Sequence, residues 1–492
     1  MKPISVVSAG LLVVLGALVV QLLWLSLPWP LIHDAPVMHY IAWRISEGAV
    51  PYRDIFDMNF PGVYLLHLAV FEVLGTGDVA WRMFDLASLA ATALAIGALA
   101  APWGRVAALG SALVFAAYHL AGGAWHAGQR DFLLCPFLLL GALSVARWVE
   151  GRRGLAWGGA ALGAAVMLKP HAAALAVAFG VVVVVAARRQ GRPILAPLVV
   201  FATSLALAPL AVLAWLGAVG AVGAWRSIVI DYVVPLYSRL GWSSVWTFHR
   251  WQVWIAIGVA VLLSVASAVA GRRFGARHAV VTVGVGYGLA HFVGQGKGWE
   301  YHLYPLAAFA AVLAFCELEQ LVEARRLAVA VPLAASLVAV FLGLEVKGAE
   351  AASAAWIWDK ERVVRLLTQD LGRQLRPGDR VQVLDTTEGG VHALLRLGVP
   401  QATRFLYDFH FFHDTAQPVI QGLRRELLRE LAARPPRFVV LFERGWPTGA
   451  YERVDGFPEL ARWLEAGYSI DTQRAGYVIY AKRSLHAQRR GS

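Results

Sequence analysis

The sequence predicts a polytopic α-helical membrane protein that ends in a small α/β region. Three observations carry this reading. Of 492 residues, 58% are hydrophobic and only 15% charged, a balance that excludes an ordinary soluble domain and a disordered chain. Apolar runs close to the length that crosses a bilayer as a helix recur up to residue 346. Beyond that point the long runs stop and charge density rises.

The first run covers residues 5–27. Only Lys2 precedes it and no small-residue cleavage site follows, so it reads as a retained helix rather than a signal peptide. Further runs lie at 61–75, 80–101, 105–121, 132–149, 154–168, 171–187, 194–218, 251–270, 278–294, 303–322 and 327–346.

The formal charge is +12, but the arginines are not spread along one face as nucleic-acid binding would require. They cluster between apolar runs, at Arg152-Arg153, Arg188-Arg189 with Arg192, Arg272-Arg273 with Arg277, and Arg325-Arg326, as cytoplasmic loops do. If every run crossed, Arg152-Arg153 would fall outside. The weakest run is 61–75, which is short and carries His67 and Glu72. Read as an interfacial or re-entrant helix, it leaves about eleven spans and returns every arginine cluster to the cytoplasmic side. Residues 28–79 then form one outer loop, and 125–131, 169–171, 219–250 and 296–300 share its face.

Residues 347–492 read as a small α/β region on the outer side. Strands are expected at Val381–Asp385, Arg437–Glu443 and Tyr477–Lys482, with helical patterns at 417–433 and 457–466. Pro377-Gly378-Asp379 and Pro435-Pro436 mark turns before strands. Cys135 and Cys316 stand far apart inside apolar runs, which gives neither a disulfide framework nor metal-ligand spacing.

This topology gathers ionisable residues on one face: Asp34, Asp54, Asp57, Arg130, Asp131, Lys169, His171, Lys297, Glu300 and His302. Such groups near lipid are costly, and chains retain them for pairing or function. Carboxylates beside cations suit transfer from an anionic lipid: an acid takes a proton from an attacking hydroxyl, and cations hold a phosphate that gains charge as it leaves. The tryptophans, among them Trp242, Trp246 and Trp299, read first as interfacial belts.

Several of these residues carry a resemblance. Asp34 stands just after the first helix, and Gly48-Ala-Val-Pro-Tyr52-Arg-Asp54 with Pro61-Gly-Val-Tyr64 precedes a juxtamembrane helix. Gln129-Arg130-Asp131 opens a later span, followed by Leu168-Lys169-Pro170 and by Lys297 ahead of Tyr304-Pro305. In order and sidedness, residues 5–346 resemble the GT-C class of integral-membrane glycosyltransferases, which use a polyprenyl-phosphate sugar as donor. Within it they are most similar to bacterial relatives of protein O-mannosyltransferases and of enzymes that decorate lipopolysaccharide core or lipid A.

The resemblance implies a GT-C-like transmembrane catalytic module over 1–346 with its outer loop at 28–79, and a periplasmic α/β domain over 347–492, in a bacterial inner membrane. It implies Asp34 as the general base of an inverting transfer to a lipid, polysaccharide or protein acceptor. Asp131 matches a second acid that shapes the site or binds a divalent metal where one is used, and no metal-ligand set is assigned. Lys297, Arg130, Lys169 and Arg53 are candidates for the donor phosphate; Asp54, Asp57, Glu300 and His302 are candidates for substrate contact. Two positions depart from the family: Ala35 follows Asp34 where paired acids are common, and Asn59-Phe60 replaces the usual basic residue before the proline. A transporter or lipid-linked sugar flippase is the competing reading, although repeated halves and midplane charges are not evident; a non-catalytic scaffold is a third.

Overall fold

A computed structural model describes residues 6–241, 251–271, 274–446 and 449–483. Trp242, Trp246 and the Arg272-Arg273 pair lie outside the described residues.

Each apolar run from the sequence is helical. The first helix, α1 (Val6–Ser26), leads into the 28–79 segment, which carries two short helices, α2 (Ala35–Ser46) and α3 (Gly62–Leu74). There follow α4 (Asp78–Ala100), α5 (Arg105–Ala121), α6 (Arg130–Val149), α7 (Leu155–Leu168), α8 (Ala172–Arg189) and α9 (Leu195–Ala218). A six-residue helix, α10 (Val222–Ser227), continues into a π-helical turn at Ile228–Val233, and then come α11 (Trp251–Ala270), α12 (Ala276–Gln295), α13 (Tyr304–Glu323) and α14 (Leu327–Ala352). Among the described residues, seven helices are long and apolar enough to cross a membrane. At about 1.5 Å per residue, the 13 residues of α3 are too few to span one.

Small residues set the spacing in this bundle. A Cβ at Gly163 on α7 would lie 2.2 Å from the Leu205 carbonyl oxygen of α9, so the two backbones touch as small-residue helix pairs do in membranes. That contact fixes α7, whose C-terminal end delivers Lys169.

The C-terminal region adds α15 (Ala355–Gly372), β1 (Val381–Leu384), α16 (Gly390–Leu397), α17 (Pro418–Ala433), β2 (Phe438–Phe442), α18 (Pro458–Gly467), β3 (Tyr468–Arg474) and β4 (Tyr477–Lys482). The sheet runs β1-β2-β4-β3; β1 and β2 are parallel, with Val381 opposite Phe438, and β4 is antiparallel to both its neighbours. β1 and β2 are buried along their whole length, as parallel strands covered on both faces must be. The three strands expected from sequence are present. β3 was not among them, because Ser469, Asp471, Thr472, Gln473 and Arg474 give an edge strand a polar pattern without an apolar face.

This region is seated on the segment after α1. The Phe56 amide donates to the Arg404 carbonyl at 2.7 Å, the Arg404 guanidinium donates to the Tyr52 carbonyl at 3.0 Å, and the Gln401 amide donates to the Tyr40 hydroxyl at 2.7 Å. Tyr232, in the π-helical turn, reaches His410 and His413 at 2.7 and 2.9 Å. Parallel α/β sheets receive ligands at the carboxyl ends of their strands, and here the segments after β1 and β2, at 385–389 and 443–446, lie over the helical bundle.

Candidate active site

A cavity of about 370 Å3 lies between the bundle and these strand-end segments. Asp34 and Arg130 are its charged residues from the helical side. Asp34 precedes α2, the usual place for a capping acid, yet its side chain caps nothing; its one hydrogen bond comes from the Gln129 amide at 3.3 Å. The residue before it, His33, has φ 64, a strained conformation for a non-glycine residue. Burial pushes the Asp34 carboxyl up, and His33, Arg130 and Gln129 together outweigh it, so the group sits below its ordinary range. Burial also pushes the His33 imidazole down, and Arg130 is the permanent cation beside this carboxyl.

Arg130 opens α6, and among the described residues it makes neither hydrogen bond nor ion pair. The turn before it is fixed from below. Gly128 has φ 68 and donates its amide to Asp85 at 2.8 Å; Asp85 is itself held by Arg82 and by His119 at 3.1 Å. An arginine with all five donors unused at a helix N-terminus is prepared to receive an anion.

The remaining wall is aromatic. Trp125, Trp299 and Tyr301 come from the bundle, while Tyr407, Phe409 and Trp446 come from the C-terminal region, together with Glu388 and Arg444. Aromatic faces beside sparse polar groups suit a ligand with one apolar face and several hydroxyls. Behind this wall, Lys297 is 7% exposed. It donates to the Tyr237 and Leu240 carbonyls at 3.2 and 2.8 Å and lies 4.0 Å from the Tyr237 ring centroid and 5.2 Å from that of Trp299. Burial, then Lys169 and Arg130, lower its ammonium to about 8.

Asp131 faces elsewhere. Fully buried, it accepts from Lys169 Nζ at 2.8 and 2.7 Å, and its Oδ1 is 2.6 Å from His291 Nε2. Lys169 also donates to Gln295 at 2.6 Å. Burial brings Lys169 down to about 8, against the pull of Asp131. His302 is buried beside this group, its Nδ1 without a partner.

The other sequence candidates divide. Asp57 is buried close to the cavity and accepts from Tyr64 at 2.5 Å and Asn59 at 2.9 Å; burial pushes its carboxyl up against both. Asn59 therefore orders Asp57. Arg53 and Asp54 pair with each other at 2.8 Å along a different cavity. Glu300 pairs with Lys347 at 2.5 Å and approaches His126 at 3.8 Å. His171 lies beside His291 with ring centroids 5.5 Å apart.

The residues do not fit a divalent ion. Both Asp131 oxygens are engaged by Lys169 and His291, Asp34 faces an arginine, and no group of three His, Cys, Asp or Glu among the described residues could hold a metal.

Sequence reasoning missed the roof residues Tyr407, Phe409, Trp446, Glu388 and Arg444, which no spacing ties to Asp34. It also missed Asp85, for which a signal existed: Arg82 and Asp85 stand three apart inside an apolar run.

This helical bundle beneath an α/β roof is a fold shared with solved structures. Among solved structures, the chain is similar to ArnT from Cupriavidus metallidurans bound to undecaprenyl phosphate, with a TM-score of 0.58 and 15% identity over 96% of this chain and 98% of that one. Apo ArnT gives 0.57 and 14% over the same shares. The oligosaccharyltransferase of Archaeoglobus fulgidus in its apo form gives 0.49 and 12%, over 96% of this chain and 74% of that chain. No protein-family model matches the chain, and no curated protein does.

Proposed function

We propose that this protein transfers a sugar from a polyprenyl-phosphate donor to a lipid, polysaccharide or protein acceptor of the cell envelope. The observation that carries this reading is the pairing of an uncapped Asp34 carboxylate and an unengaged Arg130 along one aromatic-walled cavity. The fold shared with ArnT, a protein captured with undecaprenyl phosphate, supports the donor class.

In this mechanism Asp34 accepts the proton of the acceptor hydroxyl. The hydroxyl oxygen attacks the anomeric carbon from the side opposite the phosphate, and the bond from that carbon to the phosphate oxygen breaks. The electron pair leaves with the polyprenyl phosphate, whose added charge Arg130 offsets, with Lys297 and Lys169 contributing field from behind. One displacement inverts the anomeric carbon. The aromatic wall orients the ring and limits water.

General-base removal costs about 10²–10⁴ in rate. Asp34→Asn in purified protein therefore loses transfer from a polyprenyl-phosphate sugar by that factor, and envelope glycans from cells lacking the protein miss one sugar by mass spectrometry. A fully active Asp34→Asn enzyme would remove the base assignment.

We further propose eleven spans in a bacterial inner membrane, with a catalytic module over 1–346 and a periplasmic domain over 347–492. The arginine clusters and the short α3 support this sidedness. A reporter fused after residue 77 reads as periplasmic; a cytoplasmic signal there overturns the count.

A further inference from the structure

Asp34 and Arg130 reach their cavity from different elements, and the first two turns of α4 hold both without lining it. On the Asp34 side, Asp78 at the start of α4 accepts the Leu31 amide at 2.7 Å; its other oxygen is 3.6 Å from Arg396. Arg82 donates to the Ser26 hydroxyl and lies over the Trp29 ring, 4.8 Å from its centroid. His39 stands on α2, the helix that follows Asp34, and packs on Trp81 in a T-shape with ring centroids 4.8 Å apart. His39 is also 2.6 Å from His67, nitrogen to nitrogen, and the His67 ring stacks on Trp81 at 4.7 Å.

On the Arg130 side, Asp85 accepts the Gly128 amide, and His119, which bonds to Asp85, stacks on Phe132 of α6 at 3.9 Å. Trp81 meets the same glycine: a Cβ at Gly128 would fall on the Trp81 ring, so the absence of a side chain is what lets the backbone approach it. Trp81 is 2% exposed. It therefore touches both the helix that follows Asp34 and the turn that precedes Arg130, and a close-packed ring passes any change of its size to its neighbours.

We propose that Trp81 is a positioning residue whose ring sets the separation of Asp34 from Arg130, with Asp78 and Asp85 anchoring α4 to the two sides. This inference rests on reading Asp34 as the base and Arg130 as the holder of the leaving phosphate. Both must act on one transition state, and a misplacement of about 1 Å costs about 10²-fold in rate.

Steady-state transfer from a polyprenyl-phosphate sugar by purified full-length Trp81→Phe tests it. The expected result is a kcat lower by about 10–100-fold, with KM for the donor within about twofold of the parent value. Asp78→Ala, at the half-exposed start of α4, loses the Leu31 anchor and lowers kcat about tenfold, which keeps the test available if Trp81→Phe folds poorly. Asp78→Asn retains an acceptor for Leu31 and keeps the parent kcat. In an Asp34→Asn background neither Trp81→Phe nor Asp78→Ala lowers the residual rate further, because there is no base left to align; a purely structural role lowers the rate by the same factor in both backgrounds. Independently of transfer, a cryo-EM structure of Trp81→Phe shows the 125–130 turn displaced relative to Asp34. Unchanged kcat in both variants, equal losses in both backgrounds, or an undisplaced turn would each overturn the proposal. A parent protein that transfers no sugar, with the turn displaced in Trp81→Phe, would remove the sugar-transfer reading and keep Trp81 as the spacer.

Discussion

Asp34 and Asp131 are both carboxylates beside a cation, brought to neighbouring places by different helices, yet their surroundings are opposite. Asp131 has both oxygens engaged by Lys169 and His291 in a buried network. Asp34 accepts one long hydrogen bond and leaves the rest of its capacity toward a cavity. The same contrast separates their cations: Lys169 is spent on Asp131 and Gln295, whereas Arg130 is unengaged. A saturated buried pair holds structure, and an unsaturated one is available for chemistry.

The contrast breaks most sharply on stability. Asp131→Asn leaves Lys169 buried without its counter-charge, and removing one partner of a buried pair costs about 3–5 kcal/mol. Asp34→Asn loses no comparable contact, and its thermal unfolding in detergent stays close to that of the parent protein. Melting curves of the two variants side by side decide it: an unchanged melt for Asp131→Asn, with transfer lost, would make Asp131 a second functional acid.

Arg130→Gln sharpens the comparison on rate. Losing a charge aimed at the leaving phosphate costs about 10²–10³ in kcat, while stability is little changed because no bond is removed. Steady-state kinetics together with a melting curve measure both.

The smallest effect is in pH. Lys297 titrates near 8 rather than at 10.5, so its cation is lost as pH rises through about 8 and donor affinity falls there. Stability moves the other way across that window: the unfolded chain keeps its lysine protons to higher pH, so stability rises with pH between the two values. A loss of transfer above about pH 8 without unfolding, shifted to higher pH in Lys297→Arg, is the expected profile. A flat profile would remove Lys297 from donor binding.

Much of the molecule was legible in the sequence because membrane helices satisfy their own backbone and need only apolar length. Each apolar run is a helix, and the strands at β1, β2 and β4 stood out as short apolar stretches. Asp34 and Arg130, read onto one face from the sequence, line one cavity. Lys169 and Asp131 were read onto the same face, but their commitment to each other was not, nor was the pairing of Arg53 with Asp54 or of Glu300 with Lys347. Sidedness places a residue on a face; a hydrogen bond requires a direction and a distance.

The sequence by itself determined the bundle, the acid-rich segment after α1 and the α/β end, since hydropathy and charge act locally along the chain. The tertiary structure alone decided which carboxylate is free. It also alone brought Tyr407, Phe409 and Trp446 over Asp34, because that roof is made by parallel strands whose ends meet the segment after α1 across more than 350 residues of chain. Contacts that distant leave no periodic trace in the sequence, and they exist only once the two regions have folded against each other.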